Sequence, residues 1–190
     1  IQLGLGLKPA PAEQHPEERE AEVYARNAAN SAAAGPAVFV ESDPASVVDA
    51  VNADAFFDSS YDAVLLTMIA HVVEVEGPVR DTVVARRIAR AHGWQRTGAR
   101  IQERVEQLGR KVHQTTGEDV GTFYWATGRG PEMSMVFRRP TGEVARAVDE
   151  VCMPELGELA REVLASGKSA DSFAVTMARE LGLQRTGTAV

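Results

Sequence analysis

Apolar residues recur every three to four positions through much of the chain after Ser60, the period of an α-helix with one buried face. In "YDAVLLTMIAHVVEVEG" (Tyr61 to Gly77), Val64, Ile69 (or Met68) and Val72 share a face, and Pro78 forbids the helix to continue. "RDTVVARRIARAHG" places Val84, Ile88 and Ala91 at i, i+4, i+7, and Gly93 is positioned to end that helix in the left-handed conformation. Trp94 is expected to pack, and Thr97 to cap a third helix by accepting a backbone N–H bond. In that helix Ile101, Val105 and Leu108 repeat the spacing. The period then falls to two. "RKVHQTTGEDVGTFYWATG" alternates around Gly117-Glu118-Asp119, which predicts a β-hairpin. Three short helices followed by a hairpin are the order of a winged helix-turn-helix, with the third helix presented to a groove and the hairpin as the wing. A small helical bundle that binds no DNA can have the same order.

The pattern on either side sets the domain organisation. Residues 1–36, rich in Ala, Pro and Glu, read as an acidic linker, with a helix from about Glu17 to Asn30. "AVFVES" (Ala37 to Ser42) predicts a short strand, and "DPASVVDAVNADAFF" a turn, a short helix and an apolar plug, started by Asp43-Pro44. Beyond the hairpin, "MPELGELAREVLASG" sets Leu156, Leu159 (or Ala160) and Val163 on one face, with a stop at Gly167. "ARRIARAHGWQRTG" (Ala85 to Gly98) and "AVTMARELGLQRTG" (Ala174 to Gly187) agree at eight of fourteen positions. This pairs Phe173, Met177 and Leu181 with Val84, Ile88 and His92, and Gly182 with Gly93. The expected fold is therefore mainly α with a small β-hairpin. A winged helix-turn-helix spans residues 37–128, and a second, partial helix-turn-helix unit spans 129–190. The chain begins at Ile1 without an initiator Met, which is read as a fragment of a longer protein, although removal of a tag or of the Met leaves the same start.

The formal net charge of -7 would disfavour a polyanionic partner if it were evenly spread. It is not, because residues 1–60 hold three basic groups against ten acidic ones. Residues 80–111 carry nine basic groups against Asp81, Glu103 and Glu106, and local fields decide what a surface attracts. Arg86 and Arg90 lie one turn apart on one predicted helix, and Arg100 and Arg104 on the next; such like-charged pairs repel, and a polyanion relieves the repulsion. Arg96 beside a helix N-terminus opposes the helix dipole by roughly 0.3–1 kcal/mol unless an anion is bound there. The candidate nucleic-acid contacts are therefore Arg100, Gln102, Arg104 and Gln107 at the groove or backbone, Arg96 and Thr97 at a phosphate, and Arg86, Arg87, Arg90 and Lys111 at the flanks. In the second copy Val175 and Thr176 replace Arg86 and Arg87, so it suits packing better than phosphate binding.

Other chemistry finds little support. "SGKSAD" has Glu162 where a phosphate loop needs its first glycine. "GLGLKP" lacks the third glycine of a dinucleotide fingerprint. Four scattered histidines and one cysteine have no metal-ligand spacing, and nothing arranges a catalytic triad. No catalysis, cofactor or metal is expected. Cys152, alone, excludes an internal disulfide and fits a reducing cytoplasm. "AVLLTMIA" is far too short to cross a bilayer.

The segment Val72 to Val105 resembles a family. Glu76-Gly77-Pro78, Arg86-Arg87, Gly93, Arg96, Gly98 and Arg100-Ile101 look like the C-terminal domain of unknown function of large bacterial superfamily 1 helicase-like proteins. Those proteins often also carry a restriction-endonuclease-like domain. "GTFYW" (Gly121 to Trp125) resembles the closing strand of that family's wing, and a looser likeness runs through "RRPTGEVARAVDEVCMPELGELAREVL". The resemblance implies a winged-helix accessory region of a DNA-processing ATPase, with motor and nuclease elsewhere in the parent chain. DNA, duplex or branched, and other domains of that parent are then the expected partners. Three alternatives stay open: a protein-interaction module, a basic face covered by the acidic N-terminal stretch, and a dimeric transcription regulator.

Overall fold

The computed structural model describes residues 37–183, apart from 143 and 168. The expected helix near residues 17–30 and the second Gln-Arg-Thr-Gly, at 184–187, lie outside the described residues. Helix α1 spans Asp62–Glu76, strand β1 Val79–Arg80, α2 Asp81–Ala91 and α3 Ala99–Gly109. Strands β2 (Thr115–Glu118) and β3 (Gly121–Tyr124) follow, then α4 (Met153–Ala165) and α5 (Ala170–Glu180). The described chain is thus mainly helical with one small antiparallel sheet of order β1-β3-β2.

The three helices before the hairpin surround one core. Val84 and Ile88 of α2 and Val105 and Leu108 of α3 are buried, with Ala91 and Ile101 packed against them, so the i, i+4, i+7 pattern gives the buried faces correctly. In α1 the expected face is off-centre. Leu65, Met68, Ile69, Val72 and Val73 are buried, whereas Val64 is only partly so. The reason is that α2, α3 and the 3-10 turn at Pro44–Val47 all pack on α1, so its apolar surface is wider than one stripe. Phe56 is the expected apolar plug, fully buried, and Asp43 starts the 3-10 turn by accepting from the Ala45 N–H at 3.1 Å. The expected strand at Ala37 to Ser42 reduces to one parallel bridge, Val38 with Arg139.

The sheet differs from expectation at two points. Strand β1, two residues long and without readable period, pairs Val79 with Tyr124 and Arg80 with Phe123. The hairpin turn lies at Asp119-Val120, because Glu118 and Gly121 are paired across it. Phe123, Tyr124 and Trp125 are all buried. Phe123 and Trp125 cluster with Cys152, at the start of α4, so the hairpin is built into the core.

The repeated phrase is a helix stop. The Trp94 N–H donates to the Ala89 carbonyl at 3.0 Å and the Gly93 N–H to Arg90 at 2.9 Å, with Gly93 at φ 82°. The Leu183 N–H donates to Ala178 at 2.9 Å and the Gly182 N–H to Arg179 at 2.9 Å, with Gly182 at φ 78°. Both ends are the same glycine-terminated Schellman arrangement. A methyl group on Gly93 meets nothing within 4 Å, so Gly93→Ala should cost only the left-handed backbone, about 1–2 kcal/mol. On Gly182 it lies 3.1 Å from Pro140, so Gly182→Ala should cost more. Urea unfolding of the two variants checks the order.

Helices α4 and α5 close a second, smaller core of Phe137, Val151, Leu159, Val163 and Leu181. Polar contacts cross the expected boundary at residue 128. The Arg138 guanidinium donates to the carbonyls of Glu76 (2.8 Å), Gly77 (3.1 Å) and Pro78 (3.3 Å), which ends α1 on a side chain. Its Nη2 also reaches Glu155 Oε2 at 2.8 Å, and Arg146 holds both oxygens of the same buried carboxylate at 2.7 and 2.8 Å. In return, Glu118 of the hairpin accepts the Met153 N–H that opens α4, at 3.0 Å.

Candidate nucleic-acid interface

Helix α3 is presented by the turn that follows α2. Val105, Leu108 and Gly109 face inward, and Arg100, Glu103, Gln107 and Arg110 are on the opposite stripe, all four exposed. Its N-cap is Gly98, at φ -75° and ψ 158°, with no side-chain cap. The expectation that Thr97 caps α3 is therefore corrected: the chain enters the helix one residue later, and Thr97 is left half-buried in the preceding turn.

The ten nominated residues divide by their partners. Arg87 is buried at 7%, with Nε 2.9 Å from Glu76 Oε1 and Nη2 2.9 Å from Glu41. Glu76 also accepts the Ser42 N–H at 3.0 Å and its hydroxyl at 2.6 Å. Arg86 bonds Glu150 at 2.7 Å, and Arg104 bonds Asp62 at 2.7 Å and the Asp58 carbonyl at 2.8 Å. These three arginines hold the fold. Gln102 donates to Glu106 at 2.9 Å, and Gln107 lies 3.4 Å from Glu103.

Arg90, Arg96 and Lys111 are exposed and form no ion pair among the described residues. Arg100 lies over the Phe57 ring at 4.6 Å to the centroid. Arg110, absent from the sequence-derived set, is exposed and donates to the Thr122 hydroxyl at 2.9 Å. Its spacing from Arg100 and Gln107 on the outer stripe was a readable signal. Among the described residues five cations thus remain outside ion pairs on this helix–turn–helix, beside the carboxylates of Glu103 and Glu106.

The surroundings fix these elements rather than supply reactive groups. The His92 Nδ1–H donates to the Ile88 carbonyl at 2.8 Å, which leaves Nε2 to accept from the Tyr61 hydroxyl at 3.3 Å. Burial lowers the His92 pKa, consistent with that neutral ring, which stacks on Trp94. Tyr124 is pushed up to about 12 by burial, and its hydroxyl donates to the Glu106 carbonyl at 3.4 Å. Among the described residues no group of three or more His, Cys, Asp or Glu is placed to hold a metal. No described helix is long and apolar enough to cross a membrane.

The family model described as "Protein of unknown function (DUF3320)" matches residues 54–103, from the Phe56 plug through α1 and α2 into the first turn of α3. No curated protein and no solved structure matches the chain.

Proposed function

We propose that this chain carries a winged helix-turn-helix that binds nucleic acid, DNA in duplex or branched form, through α3 and the turn before it. On this reading it is an accessory region of a larger helicase- or nuclease-type protein, without catalysis of its own. The order helix, strand, helix, helix, strand, strand supports the reading, as does the outward stripe of α3. The observation that carries it is the set Arg90, Arg96, Arg100, Arg110 and Lys111, none of them in an ion pair among the described residues. At 1.5 Å per residue Arg100 and Arg110 stand about 15 Å apart along α3, comparable to the roughly 12 Å width of a major groove. Cations at both ends can therefore meet the two phosphate walls, leaving Glu103 and Gln107 to the base edges.

Arg96→Ala combined with Arg100→Ala should weaken duplex binding. It should also lower the slope of log Kobs against log salt by roughly 0.9 for each phosphate no longer neutralised. Unchanged affinity and slope would overturn the assignment. A protein-interaction module in the same parent is favoured at one place, the hairpin turn, where Asp119 beside Glu118 repels phosphate. A nucleic-acid contact is accordingly assigned to α3 and not to the hairpin.

A further inference from the structure

Phe57 is 44% exposed, the one exposed aromatic side chain among the described residues. Isolated surface apolar groups are ordinary and need no function. Three things set this ring apart. It is backed by the buried Phe56, with ring centroids 5.0 Å apart and planes at 76°. It carries the Arg100 guanidinium over it, at the start of α3. Its loop is fixed by backbone bonds from Phe56 to Ala53 (3.3 Å) and from Asp58 to Ala55 (2.8 Å), and by Arg104, which grips the Asp58 carbonyl at 2.8 Å. The ring is held at the surface by packed and hydrogen-bonded neighbours, so a flat ligand meets a platform that needs little further ordering.

Resting on the nucleic-acid reading above, we infer that Phe57 and Arg100 together form a stacking platform for an unpaired base, so that the domain prefers a duplex–single-strand junction to a blunt duplex. Aromatic rings and guanidinium planes are what unpaired bases stack on, and a base inside a duplex has no face free to do so. The exposed carboxylates of Asp54 and Asp58, three residues and one residue from Phe57 along the chain, add negative charge to this loop that disfavours a phosphate, whereas a base is neutral. The base then falls to Phe57 and the plane of the Arg100 guanidinium, the edge N–H groups of Arg100 keep their phosphate, and Arg96 and Arg90 take the neighbouring ones.

The test uses the full chain with a blunt duplex, the same duplex with a single-stranded tail, and the tail alone. The first unpaired position carries 2-aminopurine, whose fluorescence reports stacking. The wild type should bind the tailed duplex more tightly than the blunt one and quench the probe. Phe57→Leu keeps an apolar contact with Phe56 but has no π face. It should lose affinity for the tailed duplex by roughly five- to a hundred-fold, lose the quench, and bind blunt duplex within about two-fold of wild type. Phe57→Trp should restore both. Thermal melts confirm that both variants fold. A tail that adds nothing in the wild type, or a Leu variant that behaves as wild type, overturns the platform while leaving duplex binding by the arginines intact. A wild type that binds none of the three oligonucleotides overturns both readings.

Discussion

Glu155→Gln should cost about 3–5 kcal/mol of stability, the cost of breaking a buried ion pair from one side. Glu155 is fully buried, and its two oxygens accept from Arg138 and Arg146 through five bonds of 2.7 to 3.1 Å. The glutamine keeps the shape and loses the charge, leaving two guanidinium groups without a counter-ion among the described residues. Burial alone would raise the carboxyl pKa, but the bonds and charges of Arg146 and Arg138 outweigh it and bring it to about 2, below the ordinary 4.5. The unfolded chain therefore binds the proton first as pH falls. The stability this group contributes is complete above about pH 4.5 and is lost as pH falls toward 2, in total about 3 kcal/mol. Urea unfolding across pH 2 to 6 should show a shallower acid limb in the variant than in the wild type. Parallel limbs would mean that Glu155 does not carry the acid sensitivity.

Arg87→Ala is the second large effect, again about 3–5 kcal/mol, and it separates two kinds of arginine. It strips the buried Glu76 of its guanidinium and leaves the Ser42 amide and hydroxyl as its donors. Arg90→Ala, three residues on, removes an exposed side chain outside any ion pair among the described residues and should change stability by no more than about 0.5 kcal/mol. On nucleic acid the order reverses. The salt slope should fall for the Arg90 variant and hold for the Arg87 variant under conditions where that variant remains folded. Equal slopes in both would remove Arg90 from the interface.

These two residues also show what can be read from the chain alone. The helices were legible because each apolar stripe is a local pattern, as with Val84 and Ile88 or Val105 and Leu108. The glycine stops were legible because Gly93 and Gly182 need a left-handed backbone. Charge gave less. Arg86, Arg87 and Arg104 look as available as Arg90 and Arg96, but their partners Glu150, Glu76 and Asp62 lie 64, 11 and 42 residues away. Only folding brings those carboxylates close. Strand β1 was hidden for a related reason, since two residues have no period and Val79-Arg80 become a strand through β3. Phe57 could not be told from Phe56 by sequence, because adjacent aromatics say nothing about which faces inward. Arg110 was readable from its place on the outer stripe, one position beyond the end of α3, yet stands outside the nominated set.

The two classes of arginine also answer differently to ionic strength. At 1 M salt the Debye length shrinks to about 3 Å, which screens charges bathed in solvent and hardly touches pairs shielded from it. The guanidinium groups that pin the end of α1 and the start of α4 belong to the shielded class. A concentrated electrolyte should therefore discharge the outward face of α3 without loosening the frame behind it. A complex dissociated that way should return a protein with an unaltered circular-dichroism spectrum.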